Sequence, residues 1–119
     1  TPIYKIETRE AIDQLDAIME SAQQVLIDRG DLSSEIGLVQ FPAVFNRILE
    51  RCRTHGKGVY VATQLFASMI EHNRPFISEV MEFDRLVKAG IQGIQLSDET
   101  AIGHYPIEVL EFIREALRA

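Results

Sequence analysis

Short apolar runs alternate along the chain with longer segments in which apolar residues recur every three or four positions. This alternation is typical of strands followed by helices in parallel α/β proteins. The pattern repeats four times, so we predict four strand–helix units. The predicted strands cover residues 3–7, 25–27, 59–62 and 91–96.

Each predicted strand precedes a helical pattern with one apolar face. Thr8 has the chemistry of a helix N-cap, and Gly56 stands where a left-handed residue would end the second helix. Pro75 and Pro106 are both suited to the first turn of a helix. The predicted helices begin after Thr8, span about residues 39–55, 65–70 and 75–90, and begin again at Pro106.

Two polar segments are predicted to be irregular. Residues 28–31 read as a turn after the second strand, and residues 97–105 as a loop after the fourth strand. In the last helix we expect the aliphatic side chains to face inwards, as in an ordinary amphipathic helix. These side chains are Ile107, Leu110, Ile113 and Leu117.

Four consecutive βα units indicate a parallel sheet with right-handed crossovers. We expect residues 1–119 to form a single domain, which is too short for an eight-fold barrel of about 250 residues. Two architectures satisfy the pattern: half of a (β/α)8 barrel, or an open flavodoxin-like sheet. Periodicity alone does not separate them.

The composition argues against two classes of binding partner, nucleic acids and membranes. The net charge of −6 argues against non-specific binding to nucleic acid or to anionic lipid. No apolar run approaches the roughly 20 residues of a membrane span, and no segment resembles a signal peptide. The single cysteine, Cys52, fits a reducing compartment, so we expect a cytoplasmic protein without membrane or nucleic-acid partners.

Polar residues collect directly after the predicted strands, at the edge where parallel α/β proteins bind ligands. Lys5 and Glu7 are two apart on a strand and therefore share a face. Glu7 and Asp31 suit Mg²⁺ or Mn²⁺, while Lys5 would stabilise an oxyanion. The amides of Gly30 and Asp31 suit a ligand carboxylate. The alternatives are an ordinary Lys5–Glu7 ion pair and a capping role for Thr63.

Several segments resemble pyruvate kinases, in the same order along the chain. Residues 5–7 and 29–32 resemble the ends of that family's fifth and sixth barrel strands. Residues 61–64, with 68–71, resemble the seventh strand, and residues 96–101 resemble the eighth. The resemblance implies the C-terminal (βα)4 half of a TIM barrel of the phosphoenolpyruvate/pyruvate type.

The resemblance also implies an activity and roles for individual residues. It implies part of a phosphotransferase that moves the phosphoryl group of phosphoenolpyruvate to ADP. Lys5 would be the catalytic lysine, and Glu7 and Asp31 the ligands of the divalent metal. Thr63 would lie near the substrate, on the side where the enolate is protonated.

Substrate binding is implied for the neighbouring positions. The amides of Gly30 and Asp31 would hold the substrate carboxylate, with Arg29 in a supporting role. The family commonly has alanine where Asp28 stands here, so we expect Asp28 to weaken anion binding by repulsion.

The resemblance further implies Mg²⁺ or Mn²⁺ as cofactor, with K⁺ in the complete enzyme bound by residues outside this sequence. We expect the half-barrel to be inactive by itself. Its two sheet edges would be closed by the missing N-terminal half or by a second copy. Two alternatives stay open: a non-catalytic half-barrel, and a metal-dependent enolate-forming enzyme of the same superfamily that does not use ADP.

Overall fold

The structure is a computed structural model that describes residues 2–119, and it contains a four-stranded parallel sheet. Every pair of neighbouring strands is parallel, in the order β1-β2-β3-β4. In a flavodoxin-like sheet the strand order begins 2-1-3, so the second strand lies at the edge and does not pair with the third. In a barrel each strand pairs with the next one along the chain. The observed order therefore favours the barrel architecture. The strands are β1 (Ile3–Ile6), β2 (Gln24–Asp28), β3 (Gly58–Ala62) and β4 (Gly93–Gln95).

Helices follow every strand. Gly56 lies two residues beyond the end of the helix Phe41–Thr54. Its φ of 66° confirms the predicted left-handed residue after that helix. None of the described helices is both long and apolar enough to cross a bilayer. The helices are α1 (Arg9–Asp13), α2 (Leu15–Ser21), α3 (Arg29–Ile36), α4 (Phe41–Thr54), α5 (Ile77–Lys88), α6 (Asp98–Ala101) and α7 (Pro106–Arg118), with a 3₁₀ turn at Ala67–Ile70.

The described residues fall into two compact units. The first unit runs to Ala62 and includes Ile91–Gln95, so it holds the whole sheet together with α1 to α4. The second unit comprises Thr63–Gly90 and Leu96–Ala119, and it holds the 3₁₀ turn and α5 to α7. The expectation of a single domain stays a prediction.

The first unit has its core between the sheet and the helices. The last four residues of β2 are buried, which is typical of a strand covered on both faces. Each aliphatic or aromatic side chain that is fully removed from water contributes about 1.5–3 kcal/mol. The helices contribute Ile12, Leu15, Met19, Phe45, Ile48 and Cys52 to this core.

Aromatic packing and one carboxylate organise the second unit. The ring of Phe66 lies 5.4 Å from that of Phe83 on α5 and 5.8 Å from that of Phe112 on α7, measured between centroids. Glu79 accepts hydrogen bonds from the Phe76 amide (2.9 Å), the Ser68 amide (2.9 Å) and the Ser68 hydroxyl. Glu79 thus satisfies the first turn of α5 and ties the 3₁₀ turn to it.

Three predicted boundaries are wrong. The predicted turn at residues 28–31 is instead the last residue of β2 followed by the start of α3 at Arg29, and the loop at 97–105 contains α6. Aspartate and serine favour helix N-caps and turns for the same reason, because their side chains accept backbone hydrogen bonds. The first predicted helix is also divided into α1 and α2 at Gln14 (φ −107°, ψ 25°).

The predicted inward face of α7 is wrong for three of its four residues, while Ile113 is half-buried. Val109 is buried and Phe112 packs on Phe66, so the side of the helix that carries these two residues faces the unit's core. The prediction failed because α7 has apolar residues on two sides, and periodicity does not indicate which side packs against the core. The side predicted to face inwards carries the exposed residues Ile107 (61%), Leu110 (52%) and Leu117 (59%).

Burial of Cys52 gives a first testable prediction. Burial raises the pKa of its thiol to about 11, so the nucleophilic thiolate is scarce near pH 8. We expect Ellman's reagent to leave the native chain unmodified at about pH 8 and to modify one thiol after unfolding in guanidinium. A cysteine introduced at exposed Ala17 is the control and should react in the native chain. Rapid modification of Cys52 in the native chain would contradict the burial.

Candidate metal centre

The ends of β1 and β2 bring acidic side chains to the same edge of the sheet. Ile6 of β1 pairs with Ile27 of β2, and both are fully buried. Glu7 follows Ile6 directly, and Asp28 follows Ile27 as the last residue of β2. Because the strands are parallel, Glu7 and Asp28 leave the sheet side by side at its carboxyl edge.

Lys5 lies beside these two carboxylates. Its Nζ atom is 3.0 Å from Glu7 Oε2 and 3.9 Å from Asp28 Oδ2. The two-residue spacing of Lys5 and Glu7 predicted this proximity. A hydrogen bond to Glu7, and then the charge of Glu7, raise the pKa of Lys5. The ammonium therefore stays charged at neutral pH, and its side chain is still 54% exposed to ligands.

Asp28 has a second contact, at the start of α3. Its Oδ1 atom accepts a hydrogen bond of 3.1 Å from the Asp31 amide, which makes Asp28 the N-cap of that helix. The Asp31 amide is one of the two amides that we expected to hold a ligand carboxylate. In this structure it donates to a carboxylate of the chain itself.

Glu7, Asp28 and Asp31 form an acidic cluster, with one oxygen atom from each residue within 4.8 Å of the others. The charge of Asp28, followed by burial and by contacts with Asp28 and Glu7, raises the pKa of Asp31. The neighbouring carboxylates therefore repel ionised Asp31 and favour its protonated form. The sequence predicted Glu7 and Asp31 as the acidic pair, but it treated Asp28 only as a repelling neighbour.

The cluster has the chemistry of a site for a hard divalent cation. Mg²⁺ and Mn²⁺ prefer oxygen ligands, and Mg²⁺ commonly binds through one or two carboxylates plus water. Glu7 Oε2 is buried, and its near neighbour is the Lys5 ammonium, 3.0 Å away. A bound cation would satisfy this oxygen and relieve the repulsion among the three carboxylates. The donor set therefore fits the predicted metal.

The remaining predicted residues occupy two other places. Arg29 and Gly30 form the first turn of α3, where the Arg29 guanidinium lies 5.9 Å from the centre of the Phe45 ring. Such a distance permits a cation–π contact that orients the side chain. Gly30 also accepts a hydrogen bond of 2.9 Å from the Ser33 hydroxyl through its carbonyl group.

Thr63 follows β3 and opens the second unit. Its φ of 71° and that of Gln64 (55°) lie in the left-handed region, which is costly for a β-branched residue. Residues held in such conformations often occur at ligand sites. The group that the structure brings together in the first unit consists of Lys5 and the acidic cluster.

Comparison with known proteins gives a consistent result. Residues 2–110 match the family described as "Pyruvate kinase, barrel domain". A pyruvate kinase of Mycobacterium tuberculosis (strain CDC 1551 / Oshkosh) is 41% identical over 105 residues, which are 88% of this chain and 22% of that protein. A pyruvate kinase of Bacillus licheniformis is 38% identical over 109 residues, 92% of this chain and 19% of that protein.

A relative of lower identity is also a pyruvate kinase. A pyruvate kinase of Thermotoga maritima is 33% identical over 116 residues, which are 98% of this chain and 25% of that protein. The chain thus spans between about a fifth and a quarter of the length of these three curated relatives.

Repulsion within the acidic cluster gives a testable prediction. The pKa of Asp31 is raised in the folded chain. The free energy of unfolding therefore falls as the pH rises through this pKa and Asp31 becomes ionised. Without metal, we expect Asp31→Asn to unfold at a higher temperature than the wild type at about pH 7, and the two to converge at about pH 3. Saturating Mg²⁺ should reverse the order, because the intact cluster, with three carboxylates, binds the ion more tightly than the variant.

Thermal unfolding followed by circular dichroism measures these differences. Glu111→Gln removes one negative charge from the middle of α7, outside the cluster, and serves as the control. The control should show no reversal with Mg²⁺. An Asp31→Asn chain that is less stable than the wild type without metal would contradict the predicted repulsion.

Proposed function

The chain belongs to the pyruvate kinase family, and on that premise we propose that it forms strands five to eight of the family's barrel. The order of the matching segments along the sequence supports this assignment. So does the consecutive pairing of four parallel strands, which is the pairing of a barrel. In this assignment β1 and β4 are the strands at which the sheet would continue into the other half of the barrel.

We further propose that this half supplies the lysine and the metal site of a phosphotransferase that moves the phosphoryl group of phosphoenolpyruvate to ADP. The observation that carries the proposal is the approach of Lys5 to the acidic cluster at the ends of two adjacent parallel strands. A lysine beside three carboxylates suits a ligand that is itself anionic and binds together with a cation.

The proposed roles follow from the chemistry of each group. Bound Mg²⁺ or Mn²⁺ would supply positive charge for the substrate oxygens. Glu7 and Asp31 would hold that ion, and the Lys5 ammonium would stabilise charge on the phosphoryl group during transfer. Thr63 would lie where the carbon of the resulting enolate gains its proton, and Arg29 would support the first turn of α3.

The metal site can be tested directly on the 119-residue chain. We expect Mn²⁺ to bind with one site per chain, as measured by electron paramagnetic resonance of the free ion. Glu7→Gln should weaken binding by about tenfold or more, because it removes a charged oxygen ligand from the acidic cluster.

Glu10→Gln is the matched control for this titration. Glu10 lies in the first turn of α1, three residues from Glu7 and outside the acidic cluster. It should leave Mn²⁺ affinity unchanged. Equal affinities of the wild type and Glu7→Gln would sink the proposed metal site.

We propose that the rest of the barrel, or a second copy of this half, covers the exposed features of the chain. The outer strands β1 and β4 each have one neighbour in the described sheet, and α7 exposes Ile107, Leu110 and Leu117. Unpaired strand edges and contiguous apolar side chains are both costly in water. A second set of βα units would cover them.

Fragment complementation tests this arrangement. The chain alone should be inactive in an assay that follows pyruvate formation from phosphoenolpyruvate and ADP. Mixing it with the preceding part of the Bacillus licheniformis relative should restore activity, and Lys5→Met should abolish it. Lys57→Met, outside the cluster, should retain it. Native mass spectrometry would report a dimer if a second copy is the partner instead.

One observation favours a second candidate function, a non-catalytic half-barrel. The Asp31 amide is engaged by Asp28, so a substrate carboxylate would have to displace it. Complementation that restores the native mass of the assembly but no pyruvate formation would favour this candidate.

A further inference from the structure

Asp28 contacts both the backbone at the start of α3 and the side chain of Lys5. Its Oδ1 atom accepts the Asp31 amide proton at 3.1 Å, and its Oδ2 atom lies 3.9 Å from the Lys5 ammonium. The residue is only 9% exposed, and its carboxylate lies between this amide and the ammonium group. One buried carboxylate thus contacts both an amide and a cation that face the acidic cluster.

We propose that Asp28 acts as an internal carboxylate, which takes the amide proton that a small carboxylate ligand would need, lies beside the Lys5 ammonium, and so lowers the affinity of the site for small anions. The inference rests on the proposed function, because it concerns the ligands of the same site. It assigns Asp28 a role in specificity.

The first argument is competition for donors. An incoming carboxylate that binds at the start of α3 needs the Asp31 amide, and Asp28 already accepts that proton. The same ligand would be attracted to Lys5, whose charge is shared among Glu7 and Asp28. The ligand must therefore displace a carboxylate that is covalently part of the chain, and this internal group has a high effective concentration.

The second argument is the balance of charge. The acidic cluster has three negative charges, which Lys5 and one divalent cation together neutralise. The loaded site then has no excess positive charge with which to attract an anion. Without Asp28 the loaded site would have one excess positive charge, and a small dianion would bind there more readily.

A purely structural role makes a different prediction. If Asp28 only caps α3, then Asp28→Asn should behave as the wild type, because asparagine is an equally good cap. Asp28→Ala would then lower stability without improving anion binding. The two substitutions therefore separate the cap from the charge.

The experiment is calorimetric titration of oxalate into the 119-residue chain at saturating Mn²⁺. We expect the affinity for oxalate to rise in the order wild type, Asp28→Asn, Asp28→Ala, by about tenfold overall, as for removing a like charge a few ångströms away. The affinity for Mn²⁺ should fall in the same order. Partial unfolding would lower both affinities, so the opposite directions identify the specific effect.

Thr8→Ala is the matched control. Thr8 caps α1 in the same unit by accepting the Ala11 amide proton at 3.1 Å, and it is not part of the acidic cluster. Its loss should lower stability and leave oxalate affinity unchanged. If Asp28→Ala fails to fold, the comparison of Asp28→Asn with the wild type decides the contribution of charge.

A second measurement does not depend on the metal. In isotope-labelled chains without metal, oxalate should shift the amide resonance of Asp31 more in Asp28→Ala than in the wild type, because the substitution removes both the internal acceptor of that amide and one of the charges that repel the ligand. A chain that binds no Mn²⁺ refutes the proposed metal site, while this comparison still decides the role of Asp28. Asp28→Ala that binds oxalate no more tightly than the wild type, including no binding by either, overturns the inference.

Discussion

The parallel pairing of β1 with β2 is the constraint on which the candidate site depends. Ile6 and Ile27 are paired and fully buried, and a shift of one residue would turn either strand's buried side chains to the other face. The register in turn places Glu7 next to Asp28, with Lys5 beside both. Apolar burial thus determines where like charges meet, and a bound cation or a proton on Asp31 relieves the repulsion.

Much of this arrangement could be predicted from the sequence. The four strands followed from apolar runs, and Lys5 and Glu7 followed from their spacing on a strand. Strand order was not predictable, because periodicity describes each element and says nothing about its neighbours. Helix α3 was missed for a local reason: Asp28 has the composition signal of a turn, and its capping of Asp31 is visible only in three dimensions. Likewise, the left-handed φ of Thr63 has no sequence signal, because threonine disfavours it.

Asp28 shows how stability and ligand binding can compete at one position. An aspartate N-cap stabilises a helix by about 0.5–2 kcal/mol relative to alanine, and a negative charge near the N-terminus adds to this. The same charge raises the pKa of Asp31 and opposes a second anion. Asp28 therefore stabilises the start of α3 and, in the proposed site, would favour a cation and disfavour a free carboxylate. Substituting a neutral residue would exchange one property for the other.

The location of Lys5 on an outer strand couples the site to assembly. β1 pairs only with β2 in the described sheet, and its Ile3 and Tyr4 side chains are exposed. A further strand added to this edge would lie about 4.8 Å away, close enough for its side chains to contact those of Lys5 and Glu7. Covering the edge would also lower the effective dielectric around the ammonium and strengthen its pull on an anion. In the proposed barrel, closure of the sheet at β1 and completion of the site would be the same event, so the properties of the chain alone and in an assembly should differ most at Lys5.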